Sequence, residues 1–375
     1  MGEIKMTKLF DNLRIGNLEL KNRIIMAPMT RSRADDAGVQ PEIVAEYYRQ
    51  RASAGLIITE ATNISPMAKG YVRTPGIYTD EQIESWRKVT GAVHARGGKI
   101  FLQIFHTGRI ALPDFLPEGA LPLAPSAVKA NGKNYTDNGM KDFVEPREMT
   151  IVEIKQTVED FANAAKNAIA AGFDGVELHA ANGYLVHQFL GTNTNLRADE
   201  YGGSFENRAR FLFEVIDAIS GAIGSQRLGV KLSPTVPFND MEDADAEEFY
   251  PFIVEELNGK NLGYLHIGFE ETPTTEINWH EKLRRIYNGV YFANGGFTEE
   301  SGEEFLAENK ADAIVYGKLF LANPDLPERF RENARLNELD DSTLYSTGEK
   351  GYTDYPAIDL ETDSRELKTN LQQFA

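Results

Sequence analysis

The sequence predicts an α/β protein, a single-domain (β/α)8 TIM barrel over residues 1–375. Eight short apolar segments recur along the chain, helical patterns fill most of the gaps between them, and no stretch resembles an interdomain linker. The segments are near-continuous runs of Val, Ile, Leu and Phe, which is typical of strands buried on both faces. Strands of this kind that alternate with helices indicate a parallel α/β fold.

The eight predicted strands are spread from residue 24 to residue 316. They are Ile24–Ala27, Leu56–Glu60, Lys99–Phe105, Gly175–Leu178, Leu228–Leu232, Tyr264–Ile267, Val290–Ala293 and Ala313–Tyr316.

Helix signals lie between these strands. Thr150 and Glu153 form a capping box that opens an amphipathic helix, which Gly172 ends. A second helix is predicted from about Glu206 to Ile223, and a third is predicted to begin at Asn323–Pro324, as N-cap and first turn. Each of these helices should pack against a strand from outside the barrel.

Three segments do not follow this alternation of strands and helices. Residues 106–149 are rich in Pro, Gly, Asn and Asp, and we interpret them as a long excursion after the third strand that caps the mouth of the barrel. The segment 13–20, with the turn Gly16-Asn17, is predicted to be an N-terminal β-hairpin that closes the other end. Residues 340–375 are expected to be a C-terminal extension that contributes to the pocket, and residues 1–8 to be flexible.

Composition excludes several functions. The chain has 57 acidic and 39 basic residues and a formal charge of −18, with the basic residues dispersed, so a nucleic-acid partner is not expected. Cysteine is absent, which excludes disulfides, iron–sulfur clusters and cysteine nucleophiles. No apolar stretch reaches membrane-spanning length and no signal core is present, so we expect a soluble cytoplasmic protein without a membrane partner.

The most informative cluster follows the fourth strand, where His179, Asn182 and Tyr184 stand close together. In such a barrel the carboxyl ends of the strands converge on one cavity, so polar side chains there favour chemistry over stability. His179 and Asn182 are candidate donors to a carbonyl oxygen, and Tyr184 is a candidate proton donor. A histidine after a strand is more often a hydrogen-bonded structural residue, so the cluster alone does not decide between the two.

Other strand ends carry a second candidate set, which resembles a flavin site. Backbone N–H groups at glycines after strands seven and eight commonly bind phosphate in barrels, together with a cation. Lys231, inside an apolar strand, needs an anion or a cavity, and it is suited to balance negative charge on the N1 and O2 side of a reduced flavin. Gln103 suits the pyrimidine edge of the ring, and the hydroxyl of Thr30 suits its O4. The glycines concerned are Gly295, Gly296 and Gly317, followed by Lys318.

Along nearly its whole length the chain resembles the Old Yellow Enzyme family of FMN-dependent ene-reductases. The matching stretches are Ala27–Arg31 (APMTR), Arg51–Ala61 (RASAGLIITEA), Gln103–Arg109 (QIFHTGR), Glu177–Tyr184 (ELHAANGY), Tyr201–Arg208 (YGGSFENR) and Gly351–Pro356 (GYTDYP).

The resemblance assigns roles by position. It implies a carbonyl-binding pair at His179 and Asn182 and a proton donor at Tyr184. It implies a substrate pocket lined by Tyr71, Phe105 and Tyr352. It implies non-covalent FMN contacts at Ala27, Pro28, Met29, Thr30, Ala61, Gln103, Lys231, Gly295, Gly296, Gly317 and Lys318, with no metal.

Three residues depart from the family pattern. Lys231 and Lys318 stand where Arg is usual, which keeps the charge but removes a bidentate fork, so FMN is expected to be held less tightly. Phe105 stands where many relatives carry Trp, which should leave more room for bulky substrates. One branch of the family has a cysteine where Thr30 stands, and the dienoyl reductase relatives need cysteines for an iron–sulfur cluster. Since this chain has none, it resembles the classical branch.

The resemblance implies a ping-pong reaction, since no Gly-x-Gly-x-x-Gly segment offers a separate nicotinamide site. NAD(P)H reduces FMN, and hydride then passes from flavin N5 to the β carbon of an enone while Tyr184 protonates the α carbon. The alternatives are a nitrate ester, nitroaromatic or quinone as the acceptor, or a flavin sensor without ene-reductase activity. The expected partners are small molecules, enones and nitro compounds among them, and the chain is expected to be a monomer or homodimer.

Overall fold

Eight short parallel strands form a closed ring in the computed structural model, which describes residues 7–268 and 277–358. The barrel strands are β1 (Ile24–Met26), β2 (Leu56–Ile58), β3 (Ile100–Phe105), β4 (Gly175–His179), β5 (Leu228–Leu232), β6 (Tyr264–Gly268), β7 (Tyr291–Asn294) and β8 (Ala313–Tyr316). Each strand pairs with the next in chain order, and β8 pairs with β1 to close the ring. The predicted barrel is confirmed, with strand boundaries that agree within two residues.

Helices between the strands cover the outside of the ring. They are α1 (Glu42–Gln50), α2 (Asp80–His94), α3 (Ile151–Ala170), α4 (Leu185–Leu190), α5 (Phe205–Ile223), α6 (Ala246–Leu257), α7 (Trp279–Arg284), α8 (Glu299–Ala307), α9 (Lys318–Ala322) and α10 (Leu326–Glu332). The capping box at Thr150 and Glu153 is present and opens α3. Within the described ranges no helix is both long and apolar enough to cross a membrane.

The predicted start of the third helix is wrong. Asn323 is the C-cap of α9, where its side-chain amide donates to the carbonyl of Leu319. Helix α10 begins two residues later than that prediction requires, with Asp325 as N-cap and Pro327 in the first turn. Two possible helix starts follow each other here, Asn323-Pro324 and Asp325-Leu326-Pro327, and the second opens the helix.

The N-terminal hairpin closes the amino end of the barrel, as predicted. Its strands, Leu13–Ile15 and Leu18–Leu20, are antiparallel and are joined through Gly16, which has a positive φ of 53°. A Cβ at Gly16 would lie 2.7 Å from the side chain of Gln226, just before β5, so the turn sits tightly against that end. Ile15 and Leu20 pack into the same apolar cluster as residues inside the ring.

The excursion at residues 106–149 contains no α-helix, as predicted. It holds short strands at Leu123–Ala124, Lys133–Thr136, Gly139–Asp142 and Arg147–Glu148 and two 3-10 turns, Pro113–Phe115 and Pro117–Gly119. Of the predicted flexible start, residues 1–6 lie outside the described residues, as do residues 359–375 of the C-terminal extension.

Candidate active site

The barrel interior has an aromatic lower part, toward the amino ends of the strands, and a polar upper part, toward their carboxyl ends. Phe101 and Tyr264 fill the lower part, where Gly175 and Gly229 leave room: a Cβ at either glycine would lie 2.4 Å and 2.1 Å from the two rings. Alternate residues of a strand face the same side. The next inward positions along these four strands are therefore polar, and all of them are buried: Gln103, Glu177, Lys231 and His266.

The loop between β4 and α4 carries Asn182 and Tyr184 and is held rigidly. Asn182 has a left-handed backbone, with φ 54°, and its N–H donates to Ser233 Oγ at 2.8 Å. Its carbonyl accepts from Asn239 Nδ2 at 2.8 Å. A Cβ at Gly183 would lie 2.7 Å from Asn239, so only glycine fits there. Contacts from the loop after β5 thus fix the side chains of Asn182 and Tyr184 beside the end of β4.

His179 faces this loop as a neutral, partly unpaired imidazole. Its ring centre lies 4.9 Å from that of Tyr184, and the Phe105 ring lies beside both, at 6.2 Å and 5.3 Å respectively. Burial first, and then the positive charge of Lys231, hold the pKa of His179 well below its usual value. Its Nδ1 is buried and has no partner in the part of the chain described. Such a ring is a hydrogen-bond donor and not a general acid.

The Tyr184 hydroxyl is a protonated acid with one tyrosine partner. Burial raises the pKa of Tyr184 to about 12, while a hydrogen bond from Tyr71 acts against that rise. The two hydroxyl oxygens lie 3.0 Å apart. Tyr184 therefore keeps its proton at neutral pH, with a donor in place to stabilise the oxygen that releases it.

A cavity of about 660 Å³ opens onto these residues. Thr30, Tyr71 and Tyr184 line its walls, and Asn134 of the capping excursion lines it from above. Exposed aromatic side chains form its rim: Tyr135 (50%), Phe238 (49%) and Tyr345 (62%). The volume suits a small organic molecule.

Tyr352, which the family resemblance places at the substrate, does not stand among the residues that line this cavity. Its ring is fully buried and stacks on Tyr47, with 4.0 Å between ring centres, and the guanidinium of Arg33 covers it at 4.5 Å. Tyr345, seven residues earlier, lines the cavity instead. In the described part of the C-terminal segment, the residues that line the cavity are Asp341, Ser342, Tyr345 and Ser346.

The predicted FMN contacts lie together around the carboxyl end of the ring. Ala27 is buried after β1, and its N–H donates to Tyr316 of β8. A Cβ at Gly317 would lie 3.8 Å from Ala27 Cβ and 3.6 Å from Met29 Sδ, so the ends of β1 and β8 are adjacent. Pro28 lies between Ala27 and Met29, and Ala61 is buried after β2.

The glycine pair after β7 lies at the same end of the ring. Gly295 and Gly296 both have positive φ, 154° and 69°, a backbone that side chains other than glycine rarely adopt. Lys318 is exposed at the first position of α9, beside Gly317.

The residues at this end fit a flavin mononucleotide. Lys231 is buried, yet its ammonium forms no hydrogen bond or ion pair within residues 7–268 and 277–358. The side-chain oxygen of Gln103 likewise accepts no hydrogen bond from those residues. Buried polar groups are normally paired, so one unpaired cation and one unpaired acceptor on inward-facing strand positions of the barrel indicate a polar ligand.

Two functional candidates were missed from the sequence. Glu177 stands within the matched motif, but only the fold brings it against Gln103, Tyr264 and His266. Asn239 holds the loop that carries Asn182 and was not among the predicted site residues. His187 supports the same loop, since its Nδ1 accepts from the N–H of Gly183 and its Nε2 lies 2.9 Å from the hydroxyl of Tyr250.

Comparison with known proteins agrees with this fold and cavity. Residues 8–337 match the model of the NADH:flavin oxidoreductase / NADH oxidase family. The chain is 45% identical over 364 residues to 12-oxophytodienoate reductase 1 of Oryza sativa subsp. japonica, which covers 94% of each chain.

Two solved structures superpose closely. Morphinone reductase in complex with tetrahydroNAD has a TM-score of 0.90 and 46% identity, covering 94% of this chain and 98% of the other. The Old Yellow Enzyme homologue of Zymomonas mobilis has a TM-score of 0.91 and 41% identity, covering 94% and 100%. The chain belongs to the NADH:flavin oxidoreductase family, of the Old Yellow Enzyme type. It is an oxidoreductase that uses FMN and a nicotinamide reductant.

Proposed function

We propose that this enzyme reduces the activated C=C bond of α,β-unsaturated carbonyl compounds at the expense of NAD(P)H. The observation that supports the proposal most directly is the protonated Tyr184, which lines the cavity, with the neutral donor His179 beside it. The names of two similar proteins, 12-oxophytodienoate reductase and morphinone reductase, agree with a carbonyl-bearing substrate.

FMN, when bound, supplies the hydride-transfer chemistry that links the nicotinamide nucleotide to the alkene. Its proposed contacts are Ala27, Pro28, Met29, Thr30, Ala61, Gln103, Lys231, Gly295, Gly296, Gly317 and Lys318.

His179 and Asn182 bind the carbonyl oxygen of the substrate. Both side chains carry N–H donors; His179 ends strand β4, and hydrogen bonds to the Asn182 backbone hold its loop in place before the substrate arrives. Donors fixed in advance stabilise the negative charge that develops on that oxygen without reorganisation during the reaction. A neutral imidazole serves this purpose, since it donates one hydrogen bond and does not compete as an acid.

Tyr184 delivers the proton to the α carbon. Its raised pKa keeps the hydroxyl protonated until the enolate forms, and Tyr71 then donates to the tyrosinate oxygen. A positioned general acid contributes roughly 10²–10⁴-fold to a rate. Phe105, Tyr71 and the rim tyrosine Tyr345 surround the remainder of the substrate.

One cavity serves both substrates in turn. The sequence has no Gly-x-Gly-x-x-Gly segment that would supply a separate dinucleotide site. A ping-pong order follows, in which the oxidised nucleotide leaves before the alkene binds.

Anaerobic spectroscopy of the holoenzyme tests the proposal. NADH or NADPH should bleach the flavin absorbance, and 2-cyclohexenone should restore it. Tyr184→Phe should slow the second step by roughly 10²–10⁴-fold and leave the first unchanged. Equal loss in both steps, or reduced wild-type enzyme that enones do not reoxidise, would refute the assignment.

A further inference from the structure

The carboxylate of Glu177 is fully buried inside the barrel and takes no direct part in the proposed reaction. Its Oε1 accepts from Gln103 Nε2 at 2.7 Å. Its Oε2 accepts from the hydroxyl of Tyr264 at 3.0 Å and lies 2.9 Å from His266 Nδ1. Despite the burial, these partners and Lys231 hold the pKa of Glu177 below its usual value, so the group is an anion.

This anion fixes the orientation of the Gln103 amide. A carboxylate only accepts hydrogen bonds, so the NH2 group of Gln103 must face Glu177. The amide oxygen of Gln103 then faces away from Glu177, and it is the oxygen that accepts no bond from the described residues. Gln103 therefore presents a hydrogen-bond acceptor to a ligand on the side away from Glu177.

The same anion keeps Lys231 charged. Burial lowers the pKa of Lys231, and Glu177 is the group that raises it again. Gly268 on the adjacent strand leaves room for the side chain, since a Cβ there would lie 3.5 Å from Lys231 Cε. Without a nearby negative charge, a buried ammonium tends to lose its proton.

We propose that Glu177 is a positioning residue for the pyrimidine end of the flavin, which holds Gln103 as an acceptor and maintains the positive charge of Lys231. The inference rests on the proposed function, since it takes the flavin to lie against Gln103 and Lys231. Glu177 itself touches neither flavin nor substrate. Its effect on the flavin passes through the two residues in front of it.

Glu177→Gln tests this with a nearly isosteric neutral group. Glutamine offers both a donor and an acceptor, so it no longer dictates the orientation of Gln103, and Lys231 loses its favourable charge. We expect oxidised FMN to bind about tenfold more weakly and reduced FMN, which carries the extra negative charge, about a further tenfold more weakly. For a two-electron couple that difference lowers the midpoint potential by about 30 mV.

The measurements are FMN titration of the apoprotein and dye-equilibrated reduction of the holoenzyme. Asp243→Asn is the matched control, because the Asp243 side chain is only 5% exposed and likewise contacts a histidine, His187, at 3.3 Å and a tyrosine, Tyr250, at 3.1 Å. It should lower thermal stability without moving the potential. An unchanged potential in Glu177→Gln, or an equal shift in Asp243→Asn, would overturn the proposal.

A double variant shows whether Glu177 acts through Lys231. In the Lys231→Met background, adding Glu177→Gln should leave the potential unchanged, while oxidised FMN still binds more weakly because Gln103 is released. A second full drop in potential would show that Glu177 acts on the flavin by itself. If Glu177→Gln alone does not fold, the comparison of Lys231→Met with the double variant decides the question, since the double variant removes the charge together with its partner.

The outcome is separable from that of the proposed function. Potential and affinity are measured without an alkene and do not involve Tyr184. Loss of enone reduction in wild type with a normal response of Glu177→Gln would refute the proposed function alone.

Discussion

The hydroxyl oxygens of Tyr71 and Tyr184 lie 3.0 Å apart, and their rings meet edge to face with 6.3 Å between centres. The hydrogen bond lowers the pKa of Tyr184 against the effect of burial and contributes to a pKa of Tyr71 well above its usual value. Once Tyr184 has released its proton, only Tyr71 still carries a hydroxyl hydrogen, so Tyr71 then donates to the Tyr184 oxygen and stabilises its negative charge.

Replacing Tyr71 with Phe should slow enone reduction by about fivefold, since one hydrogen bond contributes about 1 kcal/mol. The proton-transfer step alone loses stabilisation, so flavin reduction by NADH or NADPH should keep its rate. Stopped-flow measurement of the two half-reactions checks this. A larger effect on flavin reduction than on enone reduction would contradict the role given to Tyr71.

The rate of enone reduction should not change between about pH 6.5 and about pH 10. These are the usual pKa values of His and Tyr, and neither titration should appear there. Tyr184 stays protonated because its pKa is raised to about 12, and His179 stays neutral because its pKa is lowered. The rate should fall only as pH approaches the raised value. Single-turnover rates in overlapping buffers provide the test, and an inflection near neutral pH would show that one of the two assignments is wrong.

Lys318→Arg should tighten FMN binding about fivefold, if a guanidinium fork gains one further phosphate hydrogen bond worth about 1 kcal/mol. The measurement is the dissociation constant of FMN from the apoprotein. Lys260→Arg is a control, since Lys260 is paired with Asp217 on the surface at 2.7 Å. An unimproved constant in Lys318→Arg would mean that Lys318 does not hold the phosphate.

Tyr345 and Tyr352 should respond differently to substitution. Tyr345→Ala should raise KM for a bulky enone with little change in stability, because the side chain is 62% exposed at the cavity rim. Tyr352→Ala should cost about 3 kcal/mol of unfolding free energy, since it leaves a cavity beside Tyr47 and Arg33. Tyr352→Phe should change neither KM nor the unfolding free energy appreciably, because the Tyr352 hydroxyl has no partner among the described residues.

Phe105→Trp should narrow the substrate range. Phe105 is 1% exposed, and its ring packs 5.3 Å from that of Tyr184, which lines the cavity, so a larger indole there should push Tyr184 toward the cavity and narrow it. We expect KM to rise for bulky enones and to stay constant for 2-cyclohexenone. Steady-state kinetics over a size series checks this, and equal changes across the series would show that Phe105 does not limit the available room.

The ring of strands and its polar carboxyl end were predictable because both follow from local patterns. Each barrel strand is a short run of buried apolar residues, and inward side chains recur at every second position, which places Gln103, His179 and Lys231 at one end. The family motifs then supplied roles for these residues.

The remaining features depend on distant parts of the chain. Tyr345 and Tyr352 lie in a segment without periodicity, and Arg31 decides their placement by binding the carbonyls of Leu344 and Gly351 at 3.2 Å and 2.8 Å. Glu177 looks like one polar residue in a strand until β3 and β6 bring its partners beside it. Local sequence gives no signal for either arrangement.

The pairing of β8 with β1 has a consequence for biosynthesis. Ile314 is in register with Ile24, so the ring cannot close before the ribosome has released almost the whole described chain. Until then β1 and the latest strand to emerge each present an unpaired edge, which is a template for aggregation. Translation speed and chaperone supply should therefore govern the soluble yield of this enzyme more than they govern that of a protein built from local contacts.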